Sequence, residues 1–124
     1  TLKDSLLMLK KMVCSDVCSS DQDPEGFAAY IKEDGMFRFG NMEPVIGRKA
    51  IEDAVRYFWT TIKGSQHKVV NAWQQGEYII WQGEVLYTRH DEKQVTVKFV
   101  NIFKMEGDLI SEYLIYIDNG PVYA

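Results

Sequence analysis

The sequence is poor in the residues that mark covalently or metal-stabilised folds, and it has no long apolar run. It contains two cysteines, Cys14 and Cys18, and three prolines among 124 residues. Two cysteines four residues apart provide neither a disulfide framework nor the ligands of a structural zinc site. No apolar stretch reaches the roughly 18 residues that a membrane helix needs, and no Asn-x-Ser/Thr sequence occurs. We therefore expect a cytoplasmic protein, not associated with a membrane, that holds no metal.

The sequence also has no excess of positive charge. Its 14 Lys and Arg residues are outnumbered by 18 Asp and Glu residues, and the net charge is -4. Without a basic stripe, nucleic acid is not an expected partner. The 46% of hydrophobic and 13% of aromatic residues are typical of an ordered globular protein, and 124 residues suffice for one core. We predict a single domain over residues 1–124.

The first half of the chain has the apolar periodicity of three helices and the residues that typically begin and end them. Apolar residues recur at helical spacing from Leu2 to Val13 and predict a first, amphipathic helix. The sequence Asp23-Pro24 is typical of a helix start and predicts a short second helix that Gly35 ends. A third helix is predicted from Gly47 onward, with Lys63-Gly64 as its C-terminal cap. Helices thus precede most of the strands.

The second half reads as successive β-strands. After a brief strand at 36–39, strands are predicted at 67–73, 78–90 and 95–105, with a last one that ends at Asp118. Short turns at 74–76, 91–93 and 106–108 separate them. This order predicts an α+β domain in which three N-terminal helices pack on the concave face of a curved, mainly antiparallel sheet.

The hairpin from Val95 to Asp118 gives the clearest pocket signal. Alternate residues of its first strand share one face, and they are Val95, Val97, Phe99, Asn101, Phe103 and Met105. Five of the six are apolar, so this face turns to the core. Asn101 is then a buried amide that needs hydrogen-bond partners. Asp118 adds an ionisable group at the rim, and we interpret the hairpin as the wall of a small-molecule pocket.

The same alternation predicts on which face of the sheet the residues of the other strands lie. Residues 79, 81, 85 and 87 share the inner face of their strand, and residues 67, 69, 71 and 73 share one side of the strand before it. The opposite face then exposes apolar residues, which are Ile80, Leu86, Val100 and Ile102. An exposed apolar patch of this kind usually marks a protein contact. It predicts a two-fold homodimer through the outer face of the sheet.

Four segments resemble a known family. They are E-D-G-M-F-R-F-G (33–40), E-P-V-I-G-R-K-A-I (43–51), F-V-N-I-F-K (99–104) and L-I-x-x-Y-L-I-Y-I-D (109–118). In this order they resemble the SnoaL-like branch of the nuclear transport factor 2-like superfamily. The resemblance implies a cone-shaped α+β barrel that encloses a pocket, often as a homodimer. The superfamily includes polyketide cyclases, a ketosteroid isomerase, dehydratases, an epoxide hydrolase and non-catalytic binding proteins, so function must be argued from the site.

The resemblance implies roles for two residues of the hairpin. Asp118 matches the aspartate that polyketide cyclases are thought to use as a base, although Asp-Asn-Gly-Pro is also ordinary turn chemistry. Asn101 falls near the second acid of the isomerase and can donate a hydrogen bond to an enolate, or simply fix the strand. The isomerase base is absent, since Phe39 lies at its position, and Ile115 lies where the epoxide hydrolase has its catalytic acid.

Each of the remaining candidate side chains has two interpretations. His67 is a possible proton relay because its unperturbed pKa is near 6.5, or a partly exposed cap. Arg38 is either a surface residue or a pocket charge. Five aromatic residues either line the pocket as ligand contacts or pack in the core, and they are Tyr30, Tyr57, Trp73, Trp81 and Tyr87.

Two classes of function fit these observations. The first is a cofactor-independent cyclase, isomerase or dehydratase that acts on a small apolar carbonyl compound, with Asp118 as base, Asn101 as hydrogen-bond donor and His67 as relay. No metal or nucleotide motif is present in the sequence, so no cofactor is expected. The second is a non-catalytic ligand-binding or dimeric interaction domain.

Overall fold

The computed structural model describes residues 24–124. The helix predicted between Leu2 and Val13 lies outside the described residues. The helices are α1 (Pro24–Ala28), α2 (Arg48–Thr60) and α3 (Gly120–Tyr123), and the strands are β1 (Ile31–Phe39), β2 (Val45–Ile46), β3 (Gly64–Gln75), β4 (Tyr78–Thr88), β5 (Gln94–Glu106) and β6 (Leu109–Ile117). None of the helices between residues 24 and 124 has the length and apolar character needed to span a bilayer.

The six strands form one sheet in the order β2-β1-β6-β5-β4-β3. Strands β1 and β6 are parallel, and every other neighbouring pair is antiparallel. The predicted α+β class with a mainly antiparallel sheet is therefore confirmed. The predicted cone-shaped barrel is not closed in the described part of the chain, because β2 and β3 are the two edges of the sheet.

One face of the sheet packs against α1 and α2 and forms the core. On β4 and β5 every second residue is buried along most of the strand, as the alternation of the sequence predicts. Trp81 and Phe103 have no exposed surface, and their rings meet edge to face at 5.2 Å. Ile51 of α2 and Ile31 of β1 are equally buried. The inner face assigned to these two strands is correct.

The second predicted helix is shorter than expected. It ends at Ala28, and Gly35 lies inside β1 instead of capping a helix. The pairing of β1 with β6 changes register between Ile31 and Met36, and a Cβ atom on Gly35 would collide with Cγ2 of Ile31. The glycine therefore permits a β-bulge and a close approach, a second common role for glycine.

The end of the third predicted helix is also different. Thr61 is the C-cap of α2, and its N–H and its hydroxyl both donate to the carbonyl oxygen of Phe58. Gly64 is not a cap but the first residue of β3. Gly47 does precede the helix, in a conformation with φ of 99° that favours glycine. The start of the helix was thus predicted correctly and its end was not.

Strand β3 contains a bulge that the sequence analysis missed. Val69 pairs with Gly83 and Asn71 pairs with Gln82, so Val70 is an additional residue in β3. One extra residue inverts the alternation beyond it. His67 and Val69 face inward as predicted, but Trp73 is turned to the outer face and is 50% exposed. The prediction that residues 67, 69, 71 and 73 share one side is wrong.

Candidate ligand-binding cavity

A cavity of about 1020 Å³ lies between the concave face of the sheet and the helices. Most of its described lining is apolar, with several small polar groups between the rings. The aromatic residues of the lining are Phe27, Tyr30, Phe37, Phe39, Tyr57, Phe58, Trp59, Tyr87, Phe99, Tyr113 and Tyr123. An apolar concavity with a few placed polar groups is typical of a small-molecule site.

Asn101 and Tyr113 form a buried polar pair in this cavity. Asn101 is 3% exposed, and its amide nitrogen donates to the hydroxyl of Tyr113 at 3.4 Å, a long and therefore weak hydrogen bond. Its carbonyl oxygen Oδ1 is buried and has no partner among the described residues. Burial, together with the nearby Tyr87, raises the pKa of Tyr113, so its hydroxyl stays protonated and can donate.

His67 presents a neutral imidazole to the same cavity. It is the fourth residue of β3 and is partly exposed, so the alternative interpretation was right about its exposure and wrong about its position as a cap. Its ring meets Phe99 edge to face at 5.6 Å, and Nδ1 is buried with no partner within residues 24–124. Burial lowers the pKa of His67 to about 4. At neutral pH the ring therefore carries one nitrogen that can accept a proton or a hydrogen bond.

Tyr87 and Asn119 place further polar groups in the lining. Burial raises the pKa of Tyr87, and the neighbouring Asn119 amide offsets part of that rise. Even so, neither polar atom of the Asn119 side chain has a hydrogen bond of normal geometry to any described residue. Both atoms are buried, which is uncommon for an amide and usually implies a missing partner.

Asp118 lies at the edge of the cavity and not among the buried polar groups. Its side chain is exposed, and Oδ1 accepts a hydrogen bond of 2.9 Å from the backbone N–H of Gly120. This is the turn arrangement that its sequence context also suggested. Glu43 is the other carboxylate of the described lining, which contains no Lys or Arg.

The aromatic and basic residues proposed from the sequence divide into two groups. Tyr30, Tyr57 and Tyr87 line the cavity. Trp81 is instead fully buried in the core, Trp73 is on the outer face, and Arg38 donates to the Tyr116 hydroxyl at 2.9 Å outside the described lining. None of these three residues belongs to the described lining: for Trp81 the core-packing alternative holds, Arg38 lies outside the cavity, and Trp73 is neither in the core nor in the lining. For Trp73 the cause is the bulge in β3; the other two are placed by ordinary strand alternation.

Tyr113 and Asn119 are among the polar residues of the lining that escaped the sequence analysis. Tyr113 lies in a segment in which seven of the nine residues are apolar or aromatic, so alternation could not assign its face. Asn119 lies in a turn sequence, where asparagine is common for reasons unrelated to a ligand. Nothing in the sequence distinguishes such an asparagine from one that faces a cavity.

Many solved structures share this fold, including the following three, which are distant in sequence. A nuclear transport factor 2-like protein of unknown function from Burkholderia pseudomallei K96243 is 15% identical, with a TM-score of 0.81 over 95% of this chain and 93% of that one. A candidate SnoaL-like polyketide cyclase from Jannaschia sp. CCS1 is 12% identical, with a TM-score of 0.81 over 98% and 90% of the two chains. An epoxide hydrolase-like protein from M. tuberculosis is 12% identical, with a TM-score of 0.76 over 98% and 85%. These similarities establish the fold alone.

The sequence itself identifies the family. No curated protein matches the chain. The model of the SnoaL-like domain matches residues 16–113, which is well over half of the chain. Its match includes β1 to β5 and the Tyr113 position of β6, and thus most of the residues that line the cavity. The chain belongs to the family of SnoaL-like domains.

Proposed function

We propose that this cavity binds a small, largely apolar carbonyl compound and catalyses a proton transfer on it, as a cyclase, isomerase or dehydratase does. The observation that carries the proposal is a pair of buried polar atoms, Nδ1 of His67 and Oδ1 of Asn101, which have no partner in the described part of the chain. Leaving such atoms unpaired costs about 1–3 kcal/mol each. Both belong to residues of one cavity lining, so a bound ligand is the economical partner.

The proposed reaction uses His67 as base and Tyr113 as hydrogen-bond donor. A neutral imidazole nitrogen takes a proton from the carbon next to the carbonyl, and the C–H electron pair becomes the enolate. The Tyr113 hydroxyl donates to the enolate oxygen, and the Asn101 N–H, which is bonded to the Tyr113 oxygen, polarises that hydroxyl. The proton then returns to the same or another carbon. A hydroxyl lost from the β-carbon with that proton would give dehydration.

Because the pKa of His67 is low, other groups of the site must contribute to the rate of the proposed reaction. A base whose pKa is about 4 is always unprotonated near neutral pH, but it accepts protons weakly. Stabilisation of the enolate oxygen must therefore provide much of the rate. Asp118 is the alternative base: it is exposed, and only an orientation toward the ligand from the cavity edge would give it this role.

The names of similar structures support acid–base chemistry in a cavity of this kind. Besides the candidate polyketide cyclase and the epoxide hydrolase-like protein, they include a protein with a ketosteroid isomerase-like fold from Catenulispora acidiphila. Two of these names are those of enzymes, and the third describes a fold. At such low identity they suggest a class of chemistry and no particular substrate.

The test is hydrogen–deuterium exchange at an activated carbon. The protein is incubated with 2-tetralone in heavy water, and NMR follows loss of the protons next to the carbonyl against a buffer blank. We expect the protein to accelerate exchange and His67→Gln to abolish the acceleration. Asp118→Asn should leave it largely intact, with Asp108→Asn as control for removal of an exposed carboxylate. Loss of exchange in Asp118→Asn alone would transfer the role of base to Asp118.

The second candidate function is non-catalytic binding of a similar ligand. It is favoured by the backbone hydrogen bond that already occupies one oxygen of Asp118, since the described lining then offers no buried, unbonded carboxylate as base. In that case 2-tetralone would shift the resonances of cavity residues without any acceleration of exchange. The same experiment thus separates the two functions.

We also propose a homodimer through the outer face of the sheet. Ile80, Ile102 and Leu114 are in register on three neighbouring strands and form an apolar row across that face, and the half-exposed Trp73 extends it. Sedimentation should give about twice the 14.3 kDa mass of the chain. Ile102→Lys should reduce this to the monomer mass, and Met42→Lys, at an exposed apolar residue outside the sheet, should not.

A further inference from the structure

The side chain of Asn119 is not used by the turn in which it lies. Asn119 precedes α3 in the N-cap position, where an asparagine side chain normally accepts a hydrogen bond from the helix backbone. Here it makes no such bond to the described residues. The turn is held by other atoms, because Oδ1 of Asp118 accepts from Gly120 and the backbone carbonyl of Asn119 accepts from Val122 at 3.0 Å.

The amide is buried in the cavity lining beside Tyr87. Its nitrogen and its oxygen are both buried, and neither has a hydrogen bond of normal geometry to residues 24–124, although the amide is close enough to the Tyr87 hydroxyl to lower its pKa. Tyr87 is 3% exposed, and burial keeps its hydroxyl protonated by raising its pKa. The two side chains therefore offer donors and an acceptor to whatever occupies this part of the cavity.

The segment that carries Asn119 is anchored, so the position of the amide is defined by the fold. Val122 is 2% exposed and packs in the core. The hydroxyl of Tyr123 lies 2.9 Å from that of Thr61, and the guanidinium of Arg89 donates to the carbonyl oxygen of Ala124 at 2.7 Å. These contacts after the turn thus fix the backbone beside Asn119, a residue of the cavity lining.

We infer that Asn119 and Tyr87 form a second hydrogen-bonding end of the cavity, which receives an uncharged ligand group that both donates and accepts, such as a primary carboxamide. This inference rests on the proposed function, in which His67, Asn101 and Tyr113 bind the first polar group of the same ligand. An ionised carboxylate is disfavoured, because the charged side chains of the described lining are Glu43 and Asp118, without a Lys or Arg to balance it. The ligand is therefore a neutral molecule with polar groups at two places.

Three matched probes test the second end near neutral pH. They are 6-hydroxy-2-naphthamide, 6-methyl-2-naphthol and 6-hydroxy-2-naphthoate, which share one ring system and one hydroxyl, and calorimetric titration gives their affinities. We expect the amide to bind about tenfold more tightly than the methyl compound, as one or two net hydrogen bonds imply. The carboxylate should bind more weakly than the amide.

Variants assign this preference to Asn119. Asn119→Leu should make the amide and the methyl compound bind equally, with the affinity of the methyl compound unchanged. Tyr87→Phe, which removes only a hydroxyl, should reduce the preference severalfold, and thermal melting verifies that both variants fold. Equal binding of the amide and the methyl compound to the unmodified protein overturns the inference. So does a preference that survives in both variants.

The two proposals fail in different ways. If Asn101→Leu weakens all three probes but no amide preference exists, the first polar end stands and the second falls. If Asn101→Leu changes nothing while an amide preference depends on Asn119, the second end stands and the proposed function falls. Failure of all three probes to bind overturns both.

Discussion

The amide nitrogen of Asn101 donates to the hydroxyl oxygen of Tyr113 across 3.4 Å, in the middle of an otherwise apolar inner face. The same amide leaves its carbonyl oxygen unpaired within the described structure. A residue selected for stability alone would be apolar here, because a buried acceptor without a partner lowers the free energy of unfolding. The pair therefore makes sense as part of a site whose partner is a ligand.

Asn101→Leu separates stability from function. Leucine has a similar volume and removes the unpaired oxygen, and the hydrogen bond that is lost is long. We expect the free energy of unfolding to rise by about 1 kcal/mol, while acceleration of exchange in 2-tetralone falls. Urea denaturation measures the first quantity. Asn71→Leu is the control at an exposed asparagine of β3 and should change neither quantity appreciably. A loss of stability above about 1 kcal/mol in Asn101→Leu would indicate a structural role instead.

Tyr113→Phe tests the donor without disturbing the packing. The ring of Tyr113 packs against those of Phe27 and Phe103, with centroid distances of 5.8 Å and 4.5 Å. Phenylalanine retains both contacts. Removal of one donor to a developing oxyanion typically slows a reaction about 100-fold or more. We expect that loss in the 2-tetralone exchange rate with little change in melting temperature. Tyr116→Phe, at a hydroxyl on the outer face, should retain full exchange. Full exchange in Tyr113→Phe would exclude Tyr113 as the donor.

His67 gives the protein a defined pH dependence of stability. Burial lowers its pKa from 6.5 to about 4 in the folded state. Between these values the unfolded chain binds a proton that the folded protein does not, so the free energy of unfolding falls as the pH falls. This loss of stability reaches about 3 kcal/mol at pH values below the pKa of the folded state. It vanishes at pH values above the pKa of the unfolded state.

Chemical denaturation across this range measures the contribution of His67 by difference. Because carboxylates also titrate there, the informative quantity is the difference between the protein and His67→Gln at each pH. As the pH falls, the free energy of unfolding of the unmodified protein should decrease relative to that of His67→Gln. His90→Gln, at the exposed second histidine, should follow the unmodified protein. Parallel curves for the protein and His67→Gln would contradict the buried, neutral imidazole.

The sequence determined the fold class and part of the site, for identifiable reasons. Alternation on β4 and β5 assigned Tyr87 and Asn101 to the inner face, because all the charged residues of these two strands lie on the opposite face. Tyr113 could not be assigned, since both faces of β6 are rich in apolar and aromatic residues. Trp73 was assigned to the wrong face because a bulge adds one residue without altering composition. One signal was available: Gly83 interrupts the apolar pattern of β4, and a glycine inside a strand often marks a bulge or a close approach of the backbone.

Gly83→Ala tests whether that close approach is required. A Cβ atom at this position would overlap the carbonyl oxygen of Lys68 and lie 3.1 Å from Cζ of Phe99. The first neighbour is backbone in a paired strand and can move only by distorting β3. We expect the free energy of unfolding to fall by about 3 kcal/mol, at the upper end of the usual cost of overpacking.

Denaturation and NMR together measure both consequences of Gly83→Ala. His67 lies on the same strand, one residue before Lys68, so its resonances should shift when β3 moves and exchange in 2-tetralone should slow. Gly76→Asn is the matched control: nothing lies within 4 Å of its added Cβ, and asparagine tolerates the φ of +59° found there. That control should remain within about 0.5 kcal/mol of the unmodified protein. A cost below about 1 kcal/mol in Gly83→Ala would mean that β3 can relax away from β4, and the bulge would then not be what fixes the position of His67.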